Sequence, residues 1–146
     1  MNPEPDQSAQ THMRPPTDYG AFVVNVLSNI TRRSAGIDQQ VLRQCLEMSS
    51  SYLVTDTTMN PTGGIASWIM GFNRLVDVLV ALHARGELEP ETVNAASKAC
   101  SECWTVAGSW RGLDECRDGV RTVAGRLKKL LDENGRTFHG ESVYVP

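Results

Sequence analysis

The chain has 146 residues, 40% of them hydrophobic, with 14 Lys and Arg against 17 Asp and Glu for a formal net charge of -3. That length suits one domain able to bury a core without disulfides or metal to hold it together. The slight acidic excess supplies no general attraction to nucleic acid or to an anionic membrane surface, so neither is expected as a partner.

Residues 1–16, M-N-P-E-P-D-Q-S-A-Q-T-H-M-R-P-P, hold almost no large apolar side chain and cannot offset the entropy of ordering by burying surface. They read as a flexible leader. With no apolar run behind a basic start, they resemble neither a signal nor a transit peptide, and the default address is cytoplasmic or nuclear. In such a reducing compartment the four cysteines are expected as free thiols or metal ligands.

From Thr17 the spacing turns helical. Tyr19, Phe22, Val23, Val26, Leu27 and Ile30 fall at i, i+3, i+4 and i+7 steps, with Thr17 as N-cap and Gly36 as stop. A second helix after Asp38 gathers Val41, Leu42, Cys45, Leu46 and Met48 on one face, which Leu53 would extend, and sets Gln39, Gln40, Arg43 and Glu47 opposite, fading at Ser49-Ser50-Ser51. The turn formers and polar β-branched residues of Thr55 to Gly64 predict the longest internal loop, a place where sites often sit.

The third helix, Ile65 to Arg85, is apolar over most of its circumference, which marks the central helix of a bundle. Its stripe of Asn73, Arg74 and Asp77 argues against a membrane span and suggests an Arg74–Asp77 pair at i, i+3. Gly86 stops it, and Pro90 opens a fourth helix whose inward positions are Val93, Ala96, Cys100, Cys103, Ala107 and Trp110. A fifth repeats the device with Leu113, Cys116, Val120, Val123, Leu127 and Leu130, ending before Asn134-Gly135. Two such seams joined by Trp110-Arg111-Gly112 predict an antiparallel hairpin, the alternative being one long helix kinked at Gly112. Gly71, Gly108 and Gly119, inside helices, mark candidate close crossings.

The expected architecture is therefore an all-α antiparallel bundle of four to five helices. A leader (1–16), a bundle domain (17–135) and a short C-terminal tail (136–146) follow one another. Phe138, Val143, Tyr144 and Val145 give that tail enough apolar content to dock on the bundle or on a partner.

Chemistry is thinly represented. No Gly-x-Ser-x-Gly elbow, phosphate-binding glycine loop, His-Glu-x-x-His helix or dinucleotide fingerprint occurs, and no catalytic residue is assigned. Cys100 and Cys103 have the spacing of a redox pair. They lie more than two turns inside their helix, however, where the free N–H groups that stabilise a thiolate are missing, and at i, i+3 their Cβ atoms stand about 5–6 Å apart. A zinc site is a second reading, with Cys100, Cys103 and Cys116 completed by Cys45 or His83, although each thiol also fits a small apolar seam position. Arg117, Arg121 and Lys128 share a face too short to signal nucleic acid. Trp104, beside the seam, and Trp110-Arg111, at the hairpin corner, are residue types favoured as interface anchors.

The leading expectation is a noncatalytic protein–protein interaction module, a small subunit or adaptor. It would meet another protein, or a second copy of itself, through a helix groove or through Trp104, Trp110 and Arg111, helped by Phe138 and Tyr144. The zinc-supported domain and a ligand pocket or enzyme site near residues 55–64 stand as alternatives.

Overall fold

The computed structural model describes residues 18–32, 38–59 and 61–134. The leader, the tail with Phe138 and Tyr144, and the Thr17 and Gly36 signals lie outside the described residues. Five helices make up the described chain: α1 (Tyr19–Arg32), α2 (Gln39–Met59), α3 (Pro61–Ala84), α4 (Pro90–Gly108) and α5 (Asp114–Glu133). They pack helix on helix, as the sequence spacing predicts.

The start of α1 is fixed by Asp18, whose Oδ1 accepts the Ala21 N–H at 2.8 Å. Asp38 plays the same part for α2, accepting from the Gln40 N–H at 3.0 Å. Contrary to the expected fading at Ser49 and loop over 55–64, α2 continues to Met59, and α3 begins at Pro61. Two causes act together. The hydroxyls bond within the helix, Ser49 Oγ to Leu46 O, Thr57 Oγ1 to Leu53 O and Thr58 Oγ1 to Val54 O, so they do not draw the backbone into a turn. The buried series Leu42, Cys45, Leu46, Ser49, Tyr52, Leu53, Asp56 also carries the 3–4 spacing straight through the polar run, and tertiary packing holds what propensity alone would lose.

At the other end of α3, the Gly86 N–H reaches His83 O and the Glu87 N–H reaches Leu82 O, both at 2.9 Å, with Gly86 at φ 70°. This paired arrangement ends the helix, and glycine takes that φ without a Cβ penalty. Gln39, expected on the solvent side, is 6% exposed. Its Oε1 accepts from the Glu89 N–H at 3.0 Å and the Thr92 hydroxyl at 2.8 Å, and its Nε2 donates to Glu87 O at 2.7 Å. The start of α4, which has no local side-chain cap, is therefore capped from α2.

Helices α2 to α5 close a ring in which α2 neighbours α3 and α4, and α5 neighbours the same two. Within each hairpin the helices oppose: Ser49 meets Trp68 and Asp56 meets Gly64, while Cys100 meets Ala124 and Trp104 meets Arg121. Between hairpins like directions adjoin. Gln39 meets Thr92 and Ser50 meets Glu102 along α2 and α4, as Asn73 meets Arg126 and His83 meets Asn134 along α3 and α5. The connection through Arg85 to Glu89 thus crosses the end of the bundle to the helix diagonal to α3. Helix α3 touches α1, α2 and α5, with Trp68, Phe72, Leu75, Val76 and Leu79 fully buried. Its Gly63–Ala84 stretch has the length and apolar composition of a membrane span; in this fold Ile65, Trp68, Phe72, Leu75, Val76, Leu79 and Leu82 of that stretch are buried in the core, while Met70 and Val80 are exposed.

Helix α1 lies outside the ring against α3 and α2. The glycine crossing expected at position 71 is here: a Cβ on Gly71 would stand 2.8 Å from the Gly20 Cα and 3.2 Å from Tyr19 O. Position 119 is a second close approach, where a Cβ would meet Ile69 Cδ1 at 2.8 Å.

Candidate functional site

The cysteines resolve first. Cys45, Cys100 and Cys103 are fully buried. The Cys100 thiol donates to Ala124 O at 3.4 Å and the Cys103 thiol to Ser49 Oγ at 3.5 Å, so the two occupy successive turns of the seam facing different helices. The Cys45 carbonyl accepts the Tyr19 hydroxyl at 2.7 Å. Burial pushes all three thiols up to about 12, which leaves them protonated and unreactive near neutrality. Cys116, half-buried, stands at the opposite end of α5 from His83. The His83 Nδ1 lies 3.1 Å from Asn134 Nδ2, and Asn134 is eighteen residues beyond Cys116, about 27 Å along a helix. Cys116 and His83 are therefore not brought together, and among the described residues no three His, Cys, Asp or Glu side chains gather as a group able to hold a metal ion.

The tryptophan corner is partly occupied by the chain itself. The Arg121 guanidinium lies over the Trp104 ring, 4.7 Å from its centroid, and its Nη2 donates to Trp104 O at 3.4 Å. Gly108 makes room, since a Cβ there would collide with Arg121 Nη2. Trp110 is half-buried against the core and Arg111 is exposed. Two other basic residues of this region have near acidic neighbours: Arg117 pairs with Asp114 at 3.0 Å and Lys128 with Asp132 at 3.0 Å. Asp77 is paired across helices with Arg126 at 2.8 Å rather than with Arg74 as its spacing suggests, because α5 brings a guanidinium alongside it.

Two features were not visible as sites in the sequence. One is a polar cluster where α1 meets the junction of α2 and α3. Asp56, 3% exposed, accepts the Tyr19 N–H through Oδ2 at 3.4 Å, and Asp18 accepts the Ser67 hydroxyl at 2.9 Å. Burial raises the Asp56 carboxyl above its usual value, with the nearby Asp18 charge adding to the rise, and burial likewise raises the Tyr52 phenol. The signal for Asp56 was its place three residues after Leu53 on the buried face, which the loop reading concealed.

The other is a groove between the like-directed helices α2 and α4. It comprises two depressions of about 420 and 340 Å³. Leu46, Glu47, Ala95, Lys98 and Ala99 line one end, and Ser51, Val54, Ser101, Thr105 and Val106 the other. Ser50 and Glu102 belong to both, and the Ser50 hydroxyl donates to Glu102 Oε1 at 3.1 Å. From Leu46 to Val54 the groove extends about 12 Å, two turns of helix. Small side chains keep it open, and Val54, at 50% exposure, is an apolar rim. The loop expected over 55–64 is helical up to Met59 and again from Pro61, and the groove reaches Val54 just before that stretch.

Comparison with protein-family models, with curated proteins and with solved structures returns no match to this chain. The fold belongs to the class of all-α bundles: two helical hairpins with α1 added outside them.

Proposed function

We propose that this protein is a noncatalytic protein–protein interaction module and that the α2/α4 groove is its docking face. The observation behind this reading is a pair of adjoining depressions along two parallel helices, lined largely by small Ser and Ala side chains, with an exposed valine at one end and the Ser50–Glu102 hydrogen bond where the two meet. Small floor residues admit the backbone of a partner helix, which is the helix-in-groove mode of recognition. The occupant we assign is an amphipathic helix of another protein. Its apolar side chains pack on Val54 and Val106, and a basic side chain reaches Glu102 and Glu47, whose charges outnumber that of Lys98 in the furrow. Trp104 is a weaker candidate for the anchor because Arg121 already covers it.

Photocrosslinking tests the reading. A crosslinker replacing Ser51 or Thr105 is expected to capture one discrete partner through a basic amphipathic helix, whereas one replacing exposed Lys129 captures none. Val54→Asp should abolish capture while leaving the melting curve intact. Capture that survives Val54→Asp, or partner contacts that map outside the furrow, overturns the assignment. So does substrate turnover by the purified protein that is lost on changing one polar groove residue without unfolding.

A further inference from the structure

Helix α1 packs on the bundle from outside its ring, with Tyr19 and Val23 fully buried against it. The ring of α2 to α5 closes without it, and α1 contacts only α3 and α2 from outside. What it covers is aromatic. The Tyr19 ring lies 5.5 Å from Tyr52, stacks on Trp68 at 5.7 Å and meets Phe72 at 6.4 Å, while Phe22 stacks on Tyr52 at 5.5 Å. Its anchors, Tyr19, Phe22, Val23, Val26 and Leu27, repeat at the three- and four-residue steps by which amphipathic helices engage grooves. Gly20 fits because Ser67 and Gly71 of α3 leave no room for a larger residue.

The docking also carries a cost confined to this joint. With α1 in place, the Asp56 carboxylate is sealed from water against the Tyr19 N–H, and Asp18 stands close enough to raise its proton affinity further. Among the described residues neither carboxylate has an ion-pair partner within 4.0 Å. At fourteen residues α1 is near the lower limit for an isolated helix in water, so its order depends on the groove. Segments of this kind open at lower free energy than the core they cover.

We infer that the α2/α3 face is a helix-receiving groove, filled in cis by α1, and that a partner helix with the same anchors displaces α1 from it. Those anchors are an aromatic residue followed by a small one, an aromatic and a β-branched residue at the third and fourth positions after the first, and an aliphatic pair one turn later. This surface is separate from the α2/α4 furrow, so either assignment stands or falls without the other.

The test uses the full chain and a fluorescent synthetic peptide of residues 17–32. In the Val23→Asp protein a charge placed on the buried face of α1 undocks that helix and leaves the groove residues on α2 and α3 unchanged. The peptide is expected to bind this variant at least about tenfold more tightly than wild type, as removal of a competing intramolecular ligand requires. Gly71→Leu added to Val23→Asp fills the crossing point and should remove binding, whereas Val54→Asp, in the other furrow, should not affect it. A Val23→Asp protein that keeps a cooperative helical melt yet shows no saturable binding overturns the inference. Where that variant does not fold, native-state hydrogen exchange of the wild type decides. Amides of α1 opening at least about tenfold more often than the slowest amides of α3 support it, and uniform opening across both overturns it.

Discussion

Among individual residues, environment has overridden chemical identity. Cys45, Cys100 and Cys103 are thiols serving as small core residues, and with burial pushing them up to about 12 they carry almost no thiolate near pH 8. A thiol titration of the native protein should therefore find one prompt reactor, Cys116, and all four cysteines only in denaturant. Prompt native modification of Cys100 or Cys103 would contradict the packing. Asp56 is the inverse case, an acid in a core position. Unfolded, it titrates near about 3.9; folded, burial raises it, so between those two values the folded chain holds the extra proton and stability declines as pH rises across the interval. Asp56→Asn keeps an acceptor for the Tyr19 N–H and removes the charge. We expect a higher Tm than wild type at pH 7, with the difference shrinking as the pH is lowered toward about 4.

The helices owe their limits to partners on other helices. Gln39 holds Glu87, Glu89 and Thr92 with one amide, fixing where the crossover ends and α4 begins. Gln39→Ala removes the partner of the buried Thr92 hydroxyl and of the part-buried Glu87 carbonyl and Glu89 N–H together, and the expected loss is about 1–3 kcal/mol in urea unfolding. The Gly20–Gly71 crossing sets how closely α1 approaches α3, and Gly71→Val should cost about 1–3 kcal/mol through overpacking, read in the same assay. Along α4 and α5, Gly108→Ala should push Arg121 off Trp104. Because the stack at a partly exposed site is worth about 0.5–1 kcal/mol, tryptophan emission is the more sensitive readout.

Over the whole molecule, two faces of the ring are distinguished: α1 covers the one between α2 and α3, and the furrow indents the one between α2 and α4. If both receive helices, occupation of one should leave the other intact, because α2 contributes different sides to each. Adding Val54→Asp to Val23→Asp should accordingly change stability by no more than about 0.5 kcal/mol beyond Val23→Asp alone. A larger coupling would mean that α2 shifts as a unit and transmits occupancy between the faces.

Much of this fold was written in local spacing. The seam positions Val93, Ala96, Cys100, Cys103 and Ala107, and Val120, Val123, Leu127 and Leu130, are buried as their three- and four-residue steps imply, while Trp110, Leu113 and Cys116, where the two seams meet, are only half-buried; Gly86, Pro90 and Gly112 mark real breaks. Those signals act within one or two turns of chain, so they are readable without neighbours. What the tertiary structure alone decided was everything needing a second helix: that α2 continues through Ser49 to Met59, that Gln39 and Asp56 are interior, that Asp77 belongs to Arg126, and that α4 lies beside α2 in the same direction. The candidate groove belongs to this second group. Its floor of serines and alanines is inconspicuous in sequence, and it becomes a furrow only because the Arg85–Glu89 crossover sets two small-residue faces side by side.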